Sequence, residues 1–194
     1  MDKIGIGEYL ETRYYEFSLR YNEMLREKTR AFLRTAESGI TFDSLIAPDQ
    51  FVYGDRLVVF LISGSNLKAT VKIHYNPSEM ESLVPKSLLD ASETVEKAMQ
   101  SLFNELGNLY AGSLKTAFLE MSYVVGISLP IAASCYDELI SSDQLVPGRA
   151  YSYTAITVKD HGQFIVTLTL DNLGSGLAAY KYSRKDAEED SIFL

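Results

Sequence analysis

The sequence predicts a single α/β domain of the α+β kind, in which a long helix leading into antiparallel strands occurs twice. Three patterns carry that reading: an aromatic-rich, charged stretch over residues 8–37, two alternating hairpins near 56–75 and 151–170, and an apolar helix over about 88–121 between them. The chain is in this sense an internal pseudo-repeat, with a period too long for a solenoid.

From Glu8 to about Glu37 one long helix is expected, with Tyr14, Tyr15, Phe17, Tyr21 and Phe32 supplying its buried side. Glu23 with Arg26 and Glu27 with Arg30 lie three apart, the spacing of an exposed charged face. Gln50–Tyr53 is a short candidate strand. Arg56–Ile62 is apolar and β-branched, Ser63-Gly-Ser-Asn66 is turn chemistry, and Leu67–Tyr75 alternates, so a hairpin follows. Asn76-Pro-Ser stops that strand and caps a short helix over Glu79–Val84, with a break at Pro85. The apolar helix runs from about Leu88 to Met121. Val124–Ala133 and Tyr151–Val158 are the next strands, and Lys159-Asp-His-Gly162 turns into Gln163–Leu170. The tail from about 181, with Ser183-Arg-Lys-Asp-Ala-Glu-Glu-Asp190, reads as a flexible, solvated end.

Composition bounds the function. A chain of 194 residues with 46% hydrophobic content suits one well-buried domain over 1–194. The net charge of −8 disfavours nucleic acid, which needs a concentrated basic surface. Cys135 is the one cysteine; it excludes an internal disulfide, suits a reducing compartment and reads as a small buried apolar residue. Neither a signal peptide nor a run of about eighteen apolar residues is present, so a cytoplasmic protein without a membrane role is expected. His74 and His161, the only histidines, have no Cys, Asp or Glu at metal-ligand spacing and read as structural. No bound metal or cofactor is expected. Gly5, Gly7, Gly174 and Gly176 read as flexible ends or turns, and neither a phosphate-binding loop nor a nucleophile elbow occurs.

The second helix carries the chemistry. Beside its apolar side, marked by Ala98, Leu102, Leu106, Leu109 and Ser113, runs a separate stripe of Ser101, Glu105, Asn108 and Gly112 with spacings of four, three and four. The stripe is expected on the exposed flank, roughly 90° from the buried side. An acid and a carboxamide beside a glycine make a flat place where another protein's backbone comes close. Most polar helix faces are merely solvated, and a Glu-x2-Asn pair alone is weak.

The longer string is more specific. Ser101, Glu105, Asn108 and then Pro130 resemble the signature of the CheC, CheX and FliY family of chemotaxis phosphatases, and Glu105-Leu-Gly-Asn108-Leu-Tyr-Ala-Gly112 is similar to the corresponding CheX helix. The resemblance spans roughly residues 40–172. It implies a CheC-like fold, with two long helices packed on one face of an antiparallel sheet of about six strands. It further implies that the chain is a phosphatase acting on the aspartyl-phosphate of a CheY-like response regulator, and a homodimer. Glu105 and Asn108 then form the catalytic pair, Ser101 and Gly112 meet the partner or fill the helix face, and Pro130 shapes the end of the site. The regulator brings its own Mg²⁺. CheC-type members carry a second Glu-x2-Asn in the first long helix; Glu16 and Asn22 here have the wrong spacing, so the chain resembles the single-site CheX-like branch. The rival is a non-catalytic module that binds a regulator or sits in a flagellar switch; intact Glu105 and Asn108 favour the enzyme.

Overall fold

The computed structural model describes residues 8–33, 39–45, 50–52, 54–134, 138–140, 149–172 and 176–182. Tyr53, Cys135, the expected helix end at 34–37, Gly5, Gly7, Gly174 and the acidic tail lie outside them. In chain order the elements are β1 (Glu8–Tyr9), α1 (Leu10–Arg13), α2 (Tyr15–Leu33), β2 (Ile40–Ser44), β3 (Gln50–Val52), β4 (Arg56–Gly64), β5 (Leu67–Tyr75), α3 (Pro77–Met80), α4 (Lys86–Ala91), α5 (Val95–Glu120), β6 (Val125–Ile127), β7 (Ile131–Ser134), β8 (Glu138–Ile140), β9 (Arg149–Val158), β10 (Gly162–Asn172) and α6 (Gly176–Ala179).

The central sheet has six positions in the order β1-β9-β10-β5-β4-β6; β2 shares the outer edge of β9 with β1, and β7 shares that of β4 with β6. It is antiparallel except for β1, whose Glu8 and Tyr9 pair in parallel with Ala150 and Tyr151. The β4–β5 hairpin turns through Ser65–Asn66, since Ser63 pairs with Lys68. The β9–β10 hairpin turns through Lys159–His161, with Asp160 at φ 64° and Gly162 at φ 99°, left-handed positions that Asp and Gly tolerate. The two hairpins meet at the centre, where Phe164 to Asn172 pair with Tyr75 to Leu67. Each half also lends its first strand to the other's hairpin, β2 to β9 and β6–β7 to β4. This exchange gives the pseudo-repeat its physical form, because neither hairpin is complete without the other half.

Several boundaries differ from expectation. The first helix is shorter: Glu8–Tyr9 joins the sheet, and α1 and α2 are separated at Tyr14. Tyr14, Phe17 and Tyr21 are buried, but Tyr15 points outward at 61% exposure. Arg26, Arg30 and Glu27 of the expected three-apart pairs have other neighbours. Arg26 and Arg30 lie over the ring of Phe42, 5.3 and 5.7 Å from its centroid, and Glu27 pairs with Lys28 at 3.2 Å. The second long helix begins at Val95 rather than Leu88, because Thr94 takes an extended conformation and its Oγ1 accepts the Lys97 N–H at 3.2 Å. Residues 86–91 form the separate α4. Val124–Ala133 splits into β6 and β7 with Pro130 between them. Gly176 opens α6 and is no free turn, since a Cβ there would press on the ring of Tyr123. Of the two histidines, His74 is fully buried on β5, and His161 Nδ1 shares a 2.7 Å hydrogen bond with Ser82 Oγ.

α2 and α5 pack together on one face of the sheet, as the resemblance implies. Phe103 of α5 stacks on Tyr75 at 4.1 Å between centroids and meets the edge of Phe164 at 5.3 Å. Gly107 lies against Phe60 of β4; a Cβ there would collide with the ring, so the missing side chain lets the helix settle on the sheet. No helix among the described residues is long and apolar enough to cross a membrane.

Candidate functional site

α5 is a helix of 26 residues, capped by Thr94, and no proline interrupts it. Its buried residues include Met99, Phe103, Leu106, Tyr110, Leu114 and Phe118, so the sheet-facing side centres on Phe103–Tyr110. Leu109 and Ser113 are only half-buried, being shoulders against α2. At 3.6 residues per turn the stripe of Ser101, Glu105, Asn108 and Gly112 therefore lies nearly opposite the core, about 180° around the axis rather than 90°.

Two contacts set how α2 runs along α5. Thr29 Oγ1 and the Tyr110 hydroxyl lie 2.6 Å apart, and Phe17 stacks on Phe118 with centroids 5.5 Å apart. The helices are consequently antiparallel, with Thr29 level with Tyr110 and Phe17 level with Phe118. Between their outer shoulders runs a groove of about 670 Å³. Phe17, Tyr21, Met24, Leu114 and Ala117 line its apolar part; Arg20, Glu23, Glu27 and Lys28 line it from α2, and Glu105, Asn108 and Gly112 from α5.

Three of the four stripe residues thus come together on one groove wall. Glu105 and Asn108 are exposed, and neither hydrogen-bonds or ion-pairs with any described residue. An unengaged carboxylate and an unengaged carboxamide, one turn apart, supply a charged acceptor and a group that both donates and accepts. Gly112 has open space where its Cβ would be, so the fold does not require glycine there. Ser101 stands a turn beyond Glu105 and is not part of the groove; its hydroxyl donates to the Lys97 carbonyl at 2.9 Å. Pro130 sits in the β6–β7 connection at the β4 edge of the sheet and does not line the groove.

The α2 wall was not foreseen. Met24, Lys28 and Phe32 recur every four residues and form one stripe, whereas the sequence marks Phe32 as buried and the Glu and Arg around it as a separate exposed charged face. Among the described residues no three His, Cys, Asp or Glu side chains gather as a metal-holding group. Side chains here can bind and orient a partner's groups; no activated nucleophile stands among them.

No family model matches the sequence, and no curated protein matches it. Solved structures match the fold. A CheC-like superfamily protein from Shewanella sp. PV-4 superposes with a TM-score of 0.60 at 15% identity, covering 81% of this chain and 98% of that one. The chemotaxis protein CheX from Desulfovibrio desulfuricans gives a TM-score of 0.55 at 16% identity, with 77% and 95% covered. A CheX–CheY–BeF3–Mg²⁺ complex from Borrelia burgdorferi gives 0.58 at 14% identity, with 78% and 96% covered. The sheet order, the helix pair on one face and these superpositions agree that the chain has the fold of the CheC and CheX chemotaxis proteins.

Proposed function

We propose that this protein removes the phosphoryl group from the active-site aspartate of a CheY-like response regulator in chemotaxis or two-component signalling. The observation that carries the reading is the pair Glu105 and Asn108, unengaged and side by side on the outer face of α5 at the mouth of the groove. A chain with the same fold occurs in a complex with CheY, BeF3 and Mg²⁺, where BeF3 is a mimic of the phosphoryl group.

Such a site needs few groups. The regulator carries its own Mg²⁺ and active-site lysine, so what remains is to hold a water in line with the phosphorus. The Asn108 carboxamide accepts a hydrogen bond from that water and donates another, the positioning task of the glutamine in GTPases. Glu105 pairs with the regulator's lysine and fixes the register of insertion. In water such a pair contributes roughly 0.2–1 kcal/mol, and more once an interface excludes solvent. Gly112 leaves room for the partner's backbone, and Ser101 contacts the partner beyond the groove or only fills the helix face. Pro130 acts at a distance by ending β6.

The regulator and its phosphatase meet in the cytoplasm. We further propose a homodimer that uses the β7 edge, where Ile131–Ser134 are all exposed and Leu129 and Ile131 are 85% and 51% accessible. Phosphate release from a phosphorylated CheY-like regulator tests the activity. Unchanged regulator lifetime with firm binding would turn the reading to a non-catalytic scaffold.

A further inference from the structure

The groove presents a cation beside the candidate pair. Because the helices are antiparallel, the Thr29–Tyr110 contact sets Lys28 level with Ala111 and the Phe17–Phe118 contact sets it level with Gly107, so the two bracket Asn108 on the opposite wall. Packed helices lie about 8–10 Å apart, a gap that a four-carbon lysine stem largely bridges. Arg20 lines the same groove but sits eight residues further along α2, about 12 Å at 1.5 Å per residue. Lys28 is therefore the cation at the level of Asn108.

Its setting is unusual for a lysine. The side chain is only 25% exposed, lying in the groove that Met24 and Phe32 also line. Its partner is the neighbouring Glu27, at 3.2 Å. Adjacent residues on a helix do not share a face, and an exposed pair of this kind gives way readily. The other groove charges are Arg20, Glu23, Glu27 and Glu105, so acids outnumber bases. An approaching phosphoryl dianion would be repelled by those carboxylates unless a cation near its landing point offset them.

We propose that Lys28 is a specificity-determining residue that reads the phosphoryl charge of the docked regulator, making the groove bind the phosphorylated form in preference to the unphosphorylated one. This rests on the proposed function, because it takes Asn108 as the group nearest the phosphoryl.

The experiment uses full-length protein and a CheY-like regulator that the wild type dephosphorylates. Affinity is measured for the regulator loaded with Mg²⁺ and BeF3 and for the same regulator without them. Lys28→Ala is expected to weaken binding of the loaded form about fivefold to tenfold and to leave the unloaded form and the melting temperature unchanged. Lys28→Arg restores the preference, and the difference shrinks as salt rises from about 0.05 to about 0.5 M. Equal weakening of both forms would assign Lys28 a merely structural role and overturn the inference, as would no change in either. Those outcomes leave the phosphatase reading standing; a wild type that releases phosphate from no CheY-like regulator removes both.

Discussion

The Tyr110 hydroxyl donates to Thr29 Oγ1 at 2.6 Å, because the single Thr29 hydroxyl proton already goes to the Leu25 carbonyl at 2.5 Å. Both side chains are fully buried, and the bond joins α2 to α5 two residues from Asn108. Tyr110→Phe leaves Thr29 one acceptor short of a donor and should cost about 1 kcal/mol, lowering Tm by about 2–4 °C. Thr29→Val strands a buried phenol and should cost more, about 1–3 kcal/mol. Because the residues share one bond, the double substitution should cost less than the sum, as a thermal-denaturation cycle will check.

Two glycines of α5 should respond oppositely to alanine. At Gly107 the added methyl meets Phe60, an overpacking that costs about 1–3 kcal/mol and lifts the helix from the sheet. At Gly112 it meets nothing, so Gly112→Ala should stabilise the free protein by about 0.4–1 kcal/mol through the stiffer unfolded chain. Regulator affinity should fall all the same, since the methyl stands on the face proposed to meet the partner. A Gly112→Ala protein that is more stable and binds as well as the parent would remove Gly112 from the interface.

The period-2 runs of β4 and β5 and the apolar period of α5 made the fold readable, because each buries one face against a single partner layer, whereas β9 and β10 carry buried residues on both faces. The boundaries that escaped depend on contacts. Glu8–Tyr9 has no periodicity of its own and is a strand only because the β9 edge is there to pair with. Leu88 and Leu89 continue the helical pattern, yet Thr94 breaks the helix ahead of Val95. Leu109 and Ser113 look like core in one dimension and prove to be shoulders, since α2 covers only the side of α5. Glu105 and Asn108 were legible as a motif. Their opposing wall was not, because the groove is set by the Thr29–Tyr110 and Phe17–Phe118 contacts, between residues 81 or more positions apart.

Stability should fall at alkaline pH. Burial, reinforced by Glu96 and partly countered by Arg56, raises Tyr75 to about 12 from the ordinary 10.0. Burial also raises Tyr110, against its hydrogen bond with Thr29. Between pH 10 and 12 the unfolded chain has released the phenolic proton while the folded one retains it, so stability present below pH 10 is lost as pH rises through this window. Denaturant titrations at pH 8, 10 and 11.5 should show the decline, and Tyr75→Phe should make it shallower.

The proposed catalytic pair, Glu105 and Asn108, should separate by kinetic signature. Water positioning acts in the transition state, whereas pairing with the regulator's lysine already acts in the bound ground state. Asn108→Ala should bind the BeF3-loaded regulator nearly as well as the parent and lose about 100-fold or more in turnover, the scale on which one oriented polar group acts. Glu105→Ala should weaken the complex as well as the rate, raising KM and lowering kcat together. Both residues are exposed and neither side chain bonds to a described residue, so each substitution should shift stability by less than about 0.5 kcal/mol. Single-turnover phosphate release at saturating regulator isolates the chemical step. If Asn108→Ala is as fast as the parent there, the carboxamide holds no water and the face serves binding alone.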